Sequence, residues 1–225
     1  MRVSIVFALV LLSAFVRADL VAQWKGNDIR DSVGRSRLAL FGGAKNTDRA
    51  FDFSGQPEEV AFTPDSPELA ITGSLSISCW VYPRAFVSPF ATSPGSQIVF
   101  RGDDQSGLDP YRICLSRAGH FAFAIENHEG TAALHAQAVL RKWTHLLGTF
   151  DSKLRILRFY VDGRLAGETG TGIVPLGPLN AGYHPGVSIG NTQFPQGGVH
   201  RQPFDGLIRD VRIYNDVVSP RTARR

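Results

Sequence analysis

Five sets of residues in this 225-residue chain have types and spacings that could do chemistry. Gly186-Val187-Ser188-Ile189-Gly190 matches G-x-S-x-G, the pattern of a serine nucleophile on a sharp turn. That chemistry needs a strand, a tight turn and then a helix, so that the hydroxyl stands exposed. Here Asn191 to Gly198 follows, with Pro195 and two glycines, which is a loop composition. Ser188 therefore reads as an ordinary strand residue. Glu58-Glu59, and Glu126 with Glu129, come nearest to the carboxylate pair that a retaining glycosidase sets about 5 Å apart. The first pair alternates faces and the second straddles the turn at His128–Gly130, so hydrolysis is not expected. The six histidines (His120, His128, His135, His145, His184, His200) show no metal-ligand spacing with cysteine or with each other. Arg101-Gly102-Asp103 spells an adhesion tripeptide, but its residue types also suit a plain turn. Cys79 and Cys114 would close a loop worth about 3 to 4 kcal/mol as a disulfide. Their strand phases point them different ways, so a bridge and two buried thiols both stand open.

Composition narrows the class further. Residues 1–18 have a basic start at Arg2, an uncharged run from Val3 to Val16, and small residues at Val16 and Ala18. This pattern predicts a cleaved signal peptide, and so a protein secreted or held in the cell envelope. The run is too short for a membrane span, and no later segment qualifies. Removing it leaves 22 basic against 20 acidic groups, so the apparent surplus gives no nucleic-acid footprint.

The elements that would position these residues are short alternating segments separated by Gly, Pro, Asn and Asp. They run over Glu59–Thr63, Leu75–Tyr82, Gln97–Arg101, Tyr111–Ser116, His120–Glu126, Trp143–Phe150, Leu154–Val161, Val187–Ile189 and Leu207–Tyr214. Many short strands with turn punctuation predict an all-β, two-layer antiparallel sandwich. Asp162-Gly163 is a two-residue hairpin signal. Phase puts Ile77, Cys79 and Val81 inside, with Trp80 and Tyr82 outside; Leu157, Phe159 and Val161 face in, with Arg158 and Tyr160 out.

Five stretches in order then resemble the laminin G-like, concanavalin A-like jelly-roll domains of the lectin/glucanase superfamily. They are DSVG at Asp31–Gly34, AFDFSG at Ala50–Gly55, GSLSISCWVYP at Gly73–Pro83, KWTHLLGTFD…LRFYVDGRLAG at Lys142–Gly167, and FDGLIRDVRIYNDVVS at Phe204–Ser219. The resemblance implies one jelly-roll domain over residues 19–219, with its core at 73–215; the tail at 220–225 is short and polar and is expected to fray. The resemblance also implies an extracellular binding module without catalysis or a required cofactor. Many relatives hold a structural calcium near acids that this chain replaces by Ser54 and Arg209. Asp52 and Asp210 are the remaining metal candidates. A one-residue strand shift swaps faces, which puts calcium in doubt.

A glycan site needs a flat aromatic for sugar C–H faces and polar groups for hydroxyls. The outer-face set Trp80, Tyr82, Arg158 and Tyr160 has those types. So does the long loop Asn180–Pro203, with Tyr183, His184, Asn191, His200 and Arg201. The expected function is carbohydrate recognition. The alternatives are a module binding an extracellular protein and, less well supported, an exported glycan hydrolase.

Overall fold

The computed structural model describes residues 18–91, 95–103, 109–192 and 201–225. In chain order the strands are β1 Leu20–Trp24, β2 Ala39–Phe41, β3 Lys45–Asn46, β4 Phe51–Ser54, β5 Val60–Pro64, β6 Leu75–Pro83, β7 Gly95–Gly102 and β8 Tyr111–Ser116. They continue as β9 His120–Asn127, β10 Gly130–Gln137, β11 Thr144–Asp151, β12 Ile156–Val161, β13 Arg164–Gly170, β14 Gly186–Ile189 and β15 Asp205–Tyr214. A helical turn, α1, covers Pro220–Ala223.

All strand pairs are antiparallel, and they form two sheets. The first has the order β13-β12-β11-β6-β15-β4-β3, with β1 also paired to β15. The second has the order β10-β9-β8-β7-β14-β5-β2. Neighbours such as β6 and β15 are far apart in sequence, so the sandwich is a jelly roll rather than a string of hairpins. The β12–β13 hairpin turns at Asp162 and Gly163, both at positive φ (52° and 82°). Those angles suit the primed turn expected from Asp-Gly.

The core is one apolar layer between the sheets. Ile77, Cys79, Val81, Phe150 and Phe159 enter from the first sheet; Ile113, Leu115, Phe121, Phe123 and Val187 enter from the second. Phe123 stacks on Phe159 with ring centroids 6.4 Å apart. It fills the space over Gly148, where an added Cβ would lie 2.2 Å from the Phe123 ring. Phe123 is fully buried, so the ring has no free side to move toward. Gly148→Ala is expected to cost about 1–3 kcal/mol by overpacking, read as a lower denaturation midpoint at unchanged slope. An unchanged midpoint would show that the ring relocates freely.

The structure decides the open cysteine question and corrects two readings of the outer face and the tail. Cys79 and Cys114 are free thiols on different sheets, with Cys79 inward on β6 and Cys114 on the outer side of β8. Burial pushes both thiols up from their ordinary range. Ser76 and Ser78, on the outer phase of β6 with Trp80, are fully buried. The cover is the C-terminal segment: Ser76 Oγ donates to Asp216 O at 2.8 Å and accepts from Val218 N at 3.0 Å. The tail is not frayed. Ser219 caps α1 by accepting from Thr222 N, Pro220 starts the turn, and Ala223 is buried. Among the described residues no helix is long and apolar enough to cross a membrane.

Candidate functional site

The outer face of the first sheet carries a row of aromatic and guanidinium groups in mutual contact. Trp80 on β6 lies directly between His145 on β11 and Arg209 on β15. One pleat further along β6 is Tyr82, beside Trp143, which immediately precedes β11. The side chains alternate. Tyr82 and Trp143 have ring centroids 5.7 Å apart. The Arg209 guanidinium is 4.4 Å from the Trp143 centroid and 5.6 Å from that of Trp80. The Arg224 guanidinium, beyond α1, is 5.4 Å from the Trp80 centroid. His145 and Trp80 meet edge to face, with ring centroids 5.1 Å apart. Such contacts contribute about 0.5–2 kcal/mol each, more when partly desolvated. Trp80, Tyr82, Trp143 and Arg209 are all half-buried.

Local sequence sets this row up. Ile208 and Val211 are both buried although they stand three residues apart. A β-bulge between Arg209 and Arg212 makes that possible by adding one residue to the strand. Asp210 sits at φ 51° inside the bulge. Its carboxylate accepts from Gln23 Nε2 at 2.7 Å and Arg212 Nε at 2.8 Å. The bulge leaves Arg209 on the outer face beside Trp80. At the far side, Arg224 Nη1 donates to Asp162 O at 3.0 Å, and His145 Nε2 lies 3.3 Å from Ala223 O. The tail thus fixes one end of the row.

The remaining candidates lie elsewhere. Arg158 is paired with Glu168 on β13. Tyr160 packs with Leu147, Tyr214, Val218 and Ala223 under the C-terminal segment. Tyr183 is 37% exposed and His184 adopts φ 49° at the end of the short turn Ala181–Tyr183. That turn precedes β14, whose start pairs with Pro64 and Gly102. The end of β14 approaches Phe53 and Phe204, near the start of β15. Tyr183 therefore stands at the opposite end of the sandwich from Tyr82. Asn191 is a buried latch: its amide donates to Pro57 O and Glu59 O, and its Oδ1 accepts from Gln202 N. Arg201 pairs with Glu58 at 2.8 Å. His200 lies outside the described residues.

Neither metal candidate is offered to a cation. Asp52 accepts from Arg84 Nη2, and the same guanidinium reaches Phe53 O at 2.8 Å and Asp205 at 3.3 Å. A positive charge already sits among those oxygens. Asp210 is taken by Gln23 and Arg212. A hard dication needs several carboxylate or carbonyl oxygens left open to it, and these two are not. Among the described residues no cluster of three or more His, Cys, Asp or Glu side chains could hold a metal ion.

The acids and the serine motif have structural partners or surroundings. Glu59 accepts from Ser54 N, Ser54 Oγ and Gln56 N. Glu126 holds Arg112 at 2.8 Å and accepts from Thr131 Oγ1. Ser188 is fully buried in mid-strand. The Arg101 side chain of the Arg-Gly-Asp tripeptide is fully buried, so it cannot be displayed to a partner.

Sequence reading missed Trp143, Arg209 and Arg224. Trp143 carried a usable signal, since it alternates with His145 and Leu147 and shares the outer phase of β11. Arg209 and Arg224 carried none, because their neighbours depend on the bulge and on the docked tail.

Comparison with known proteins agrees with this architecture. The binding domain of Paraclostridial Mosquitocidal Protein 1 superposes with a TM-score of 0.67 at 12% identity, over 91% of this chain and 51% of that one. The chain thus spans about half the length of that structure. Domain 4 of AbnA, a GH43 extracellular arabinanase from Geobacillus stearothermophilus solved with arabinotriose, gives 0.59 at 18% identity over 92% and 97% of the two chains. A Trypanosoma rangeli sialidase gives 0.60 at 14% identity over 91% and 32%. At these identities the likeness shows the fold. No curated protein is significantly similar in sequence. The profile described as "Concanavalin A-like lectin/glucanases superfamily" matches residues 54–223, most of the chain and every strand from β5 to β15, and the chain belongs to that family.

Proposed function

We propose that this protein is a carbohydrate-binding module that acts outside the cytoplasm and makes or breaks no bonds. The sugar lies on the outer face of the first sheet, across Tyr82, Trp143, Arg209 and Trp80. The observation that carries this reading is the row itself: three half-buried aromatic side chains on one sheet face, with a guanidinium between two of them. An apolar floor with donors at its edges matches a sugar, whose C–H faces are apolar and whose hydroxyls need partners. Domain 4 of AbnA, solved with arabinotriose, shares the fold over nearly its whole length and lends support. Residues 1–18 support export.

Affinity should depend on Trp143. Trp143→Ala removes the group between Tyr82 and Arg209, and is expected to weaken binding of the best oligosaccharide at least about tenfold. A glycan array on the whole chain, with and without chelator, finds that ligand; calorimetry on the variant measures the loss. Absence of any glycan binding, together with capture of one defined extracellular protein, would favour the protein-binding alternative. Release of reducing sugar from a polysaccharide would overturn the non-catalytic reading.

A further inference from the structure

Arg209 differs from every comparable arginine in the molecule. Among the described residues, Arg84, Arg101, Arg112, Arg158, Arg201, Arg209 and Arg212 are buried or half-buried. Six of these seven have a carboxylate partner: Asp52, Asp65, Glu126, Glu168, Glu58 and Asp210 respectively. Arg209 has none. Its contacts are the two indoles, at 4.4 and 5.6 Å, and no hydrogen bond to a protein acceptor is made by its guanidinium. The indole N–H groups of Trp80 and Trp143 likewise have no acceptor among the described residues. Three donor groups on this face therefore make no hydrogen bond to an acceptor among the described residues.

The charges around the patch are settled except for two. Asp52 is held by Arg84, Asp210 by Gln23 and Arg212, and Asp162 has Lys142 at 3.6 Å. The carboxylates on this face are thus already matched by cations. Arg209 and Arg224 are not matched: among the described residues Arg224 meets only a backbone carbonyl and the Trp80 ring. A guanidinium lying over an indole keeps its edge donors free, because stacking uses the plane and hydrogen bonding uses the edge. Held there by two rings, it has given up rotamer freedom before any ligand arrives. A half-buried guanidinium without an acceptor is costly, and a carboxylate or a sulfate offers two oxygens at the spacing of its fork.

We propose that Arg209 is an anion receptor and that the sugar bound on this face carries an acidic group, a carboxylate or a sulfate ester, seated on its guanidinium. This rests on the carbohydrate-binding reading above and adds the charge of the ligand to it. Arg224, on the other side of Trp80, raises the local potential and favours the same sign. The aromatic edges and the indole donors then serve the rest of the sugar.

The test is calorimetric titration of the whole chain with three probes: an oligo-uronate, the same oligosaccharide reduced at its carboxyl groups, and a sulfated oligosaccharide of matched length. The expected result is at least tenfold tighter binding of one acidic probe than of the reduced one, and that preference should shrink as salt rises. Whichever acidic probe binds tighter identifies the oxyanion. Arg209→Gln is expected to bring acidic and neutral probes to equal affinity, through a loss on the acidic probe at least tenfold larger than any loss on the neutral one. Arg209→Lys keeps the charge and loses the fork; it is expected to lose several-fold on the acidic probe, and it reads the same question if Arg209→Gln folds poorly. Equal affinity of the native chain for acidic and reduced probes would overturn the receptor while leaving carbohydrate binding intact. Acidic-probe affinity unchanged in both Arg209 variants would overturn it too. Binding of no probe and no arrayed glycan overturns the carbohydrate reading itself.

Discussion

Arg101→Met is expected to lower the unfolding free energy by about 3–5 kcal/mol, the usual cost of removing one partner from a buried ion pair. The Arg101 side chain is fully buried. Its Nε and Nη2 donate to the two Asp65 oxygens at 2.9 and 2.7 Å. Nη1 and Nη2 also donate to the carbonyls of Leu176 and Gly177 at 3.1 and 2.8 Å. The guanidinium lies 5.7 Å from the centroid of Tyr111, whose hydroxyl donates to Leu69 O. One side chain thus ties the end of β5, the start of β8 and the segment before β14. Methionine fills similar volume but leaves a carboxylate and two carbonyls without donors. Adding Asp65→Asn removes the stranded charge, so the double variant should recover part of the loss. Urea denaturation of both variants checks this. A single-variant loss below about 1 kcal/mol would mean that water replaces the guanidinium without difficulty, and the clamp assignment would fail.

The second large effect is acid lability centred on His145. This histidine is 1% exposed. Burial holds its pKa at about 4, against an ordinary 6.5; Arg224 and Arg212 lower it further, while the Ala223 carbonyl and Asp210 act the other way. With Nε2 donating to Ala223 O, Nδ1 is the unprotonated nitrogen, and it has no partner. The folded chain therefore keeps His145 neutral over a range where the unfolded chain protonates it. Stability from this group is fully present above pH 6.5 and is lost as pH falls toward 4, after which the loss is constant. The whole window is worth about 3 kcal/mol, and the part between pH 7 and pH 5 about 2 kcal/mol. Denaturation of the native chain and of His145→Gln at pH 7, 6 and 5 separates this from the carboxylates, which titrate lower. The native chain should lose stability over that interval and the variant should not. Parallel curves would show that His145 is protonated without cost. Protonation of the folded chain, near pH 4, also weakens the docking of α1, so tryptophan fluorescence of the folded protein should change there and not between pH 7 and 5.

Reading from sequence succeeded where one local period carried the information. Tyr111–Ser116 was placed to the residue, and Leu75–Tyr82 and His120–Glu126 each to within one residue at the ends. In each, β-branched and aromatic residues alternate with small or polar ones. β10 escaped because its inward residues Ala132, Leu134 and Ala136 contrast little with outward Ala133 and His135. The phase of β6 was correct, yet its outer serines were not exposed, because phase says which face a residue takes and not what later covers that face. Asn191 was read as a loop donor for a ligand; its donors and acceptor bind backbone of the β4–β5 connection and of Gln202. A polar residue in a long loop has the same composition whether it meets sugar or main chain.

The sequence by itself therefore determined the all-β class, the two-layer packing, the inward face of most strands, the Asp162-Gly163 hairpin and the family. These follow from a two-residue side-chain period and from turn residues, both local properties of the chain. Only the tertiary structure decided which polar groups are already satisfied. Arg101 and Arg209 have the same side chain. One is clamped by Asp65 and two carbonyls; the other is held between two indoles with its donors unused. That difference depends on the register of β6, β11 and β15, on one bulge and on a docked tail. Each of these is a pairing between distant parts of the chain, and no local pattern encodes it.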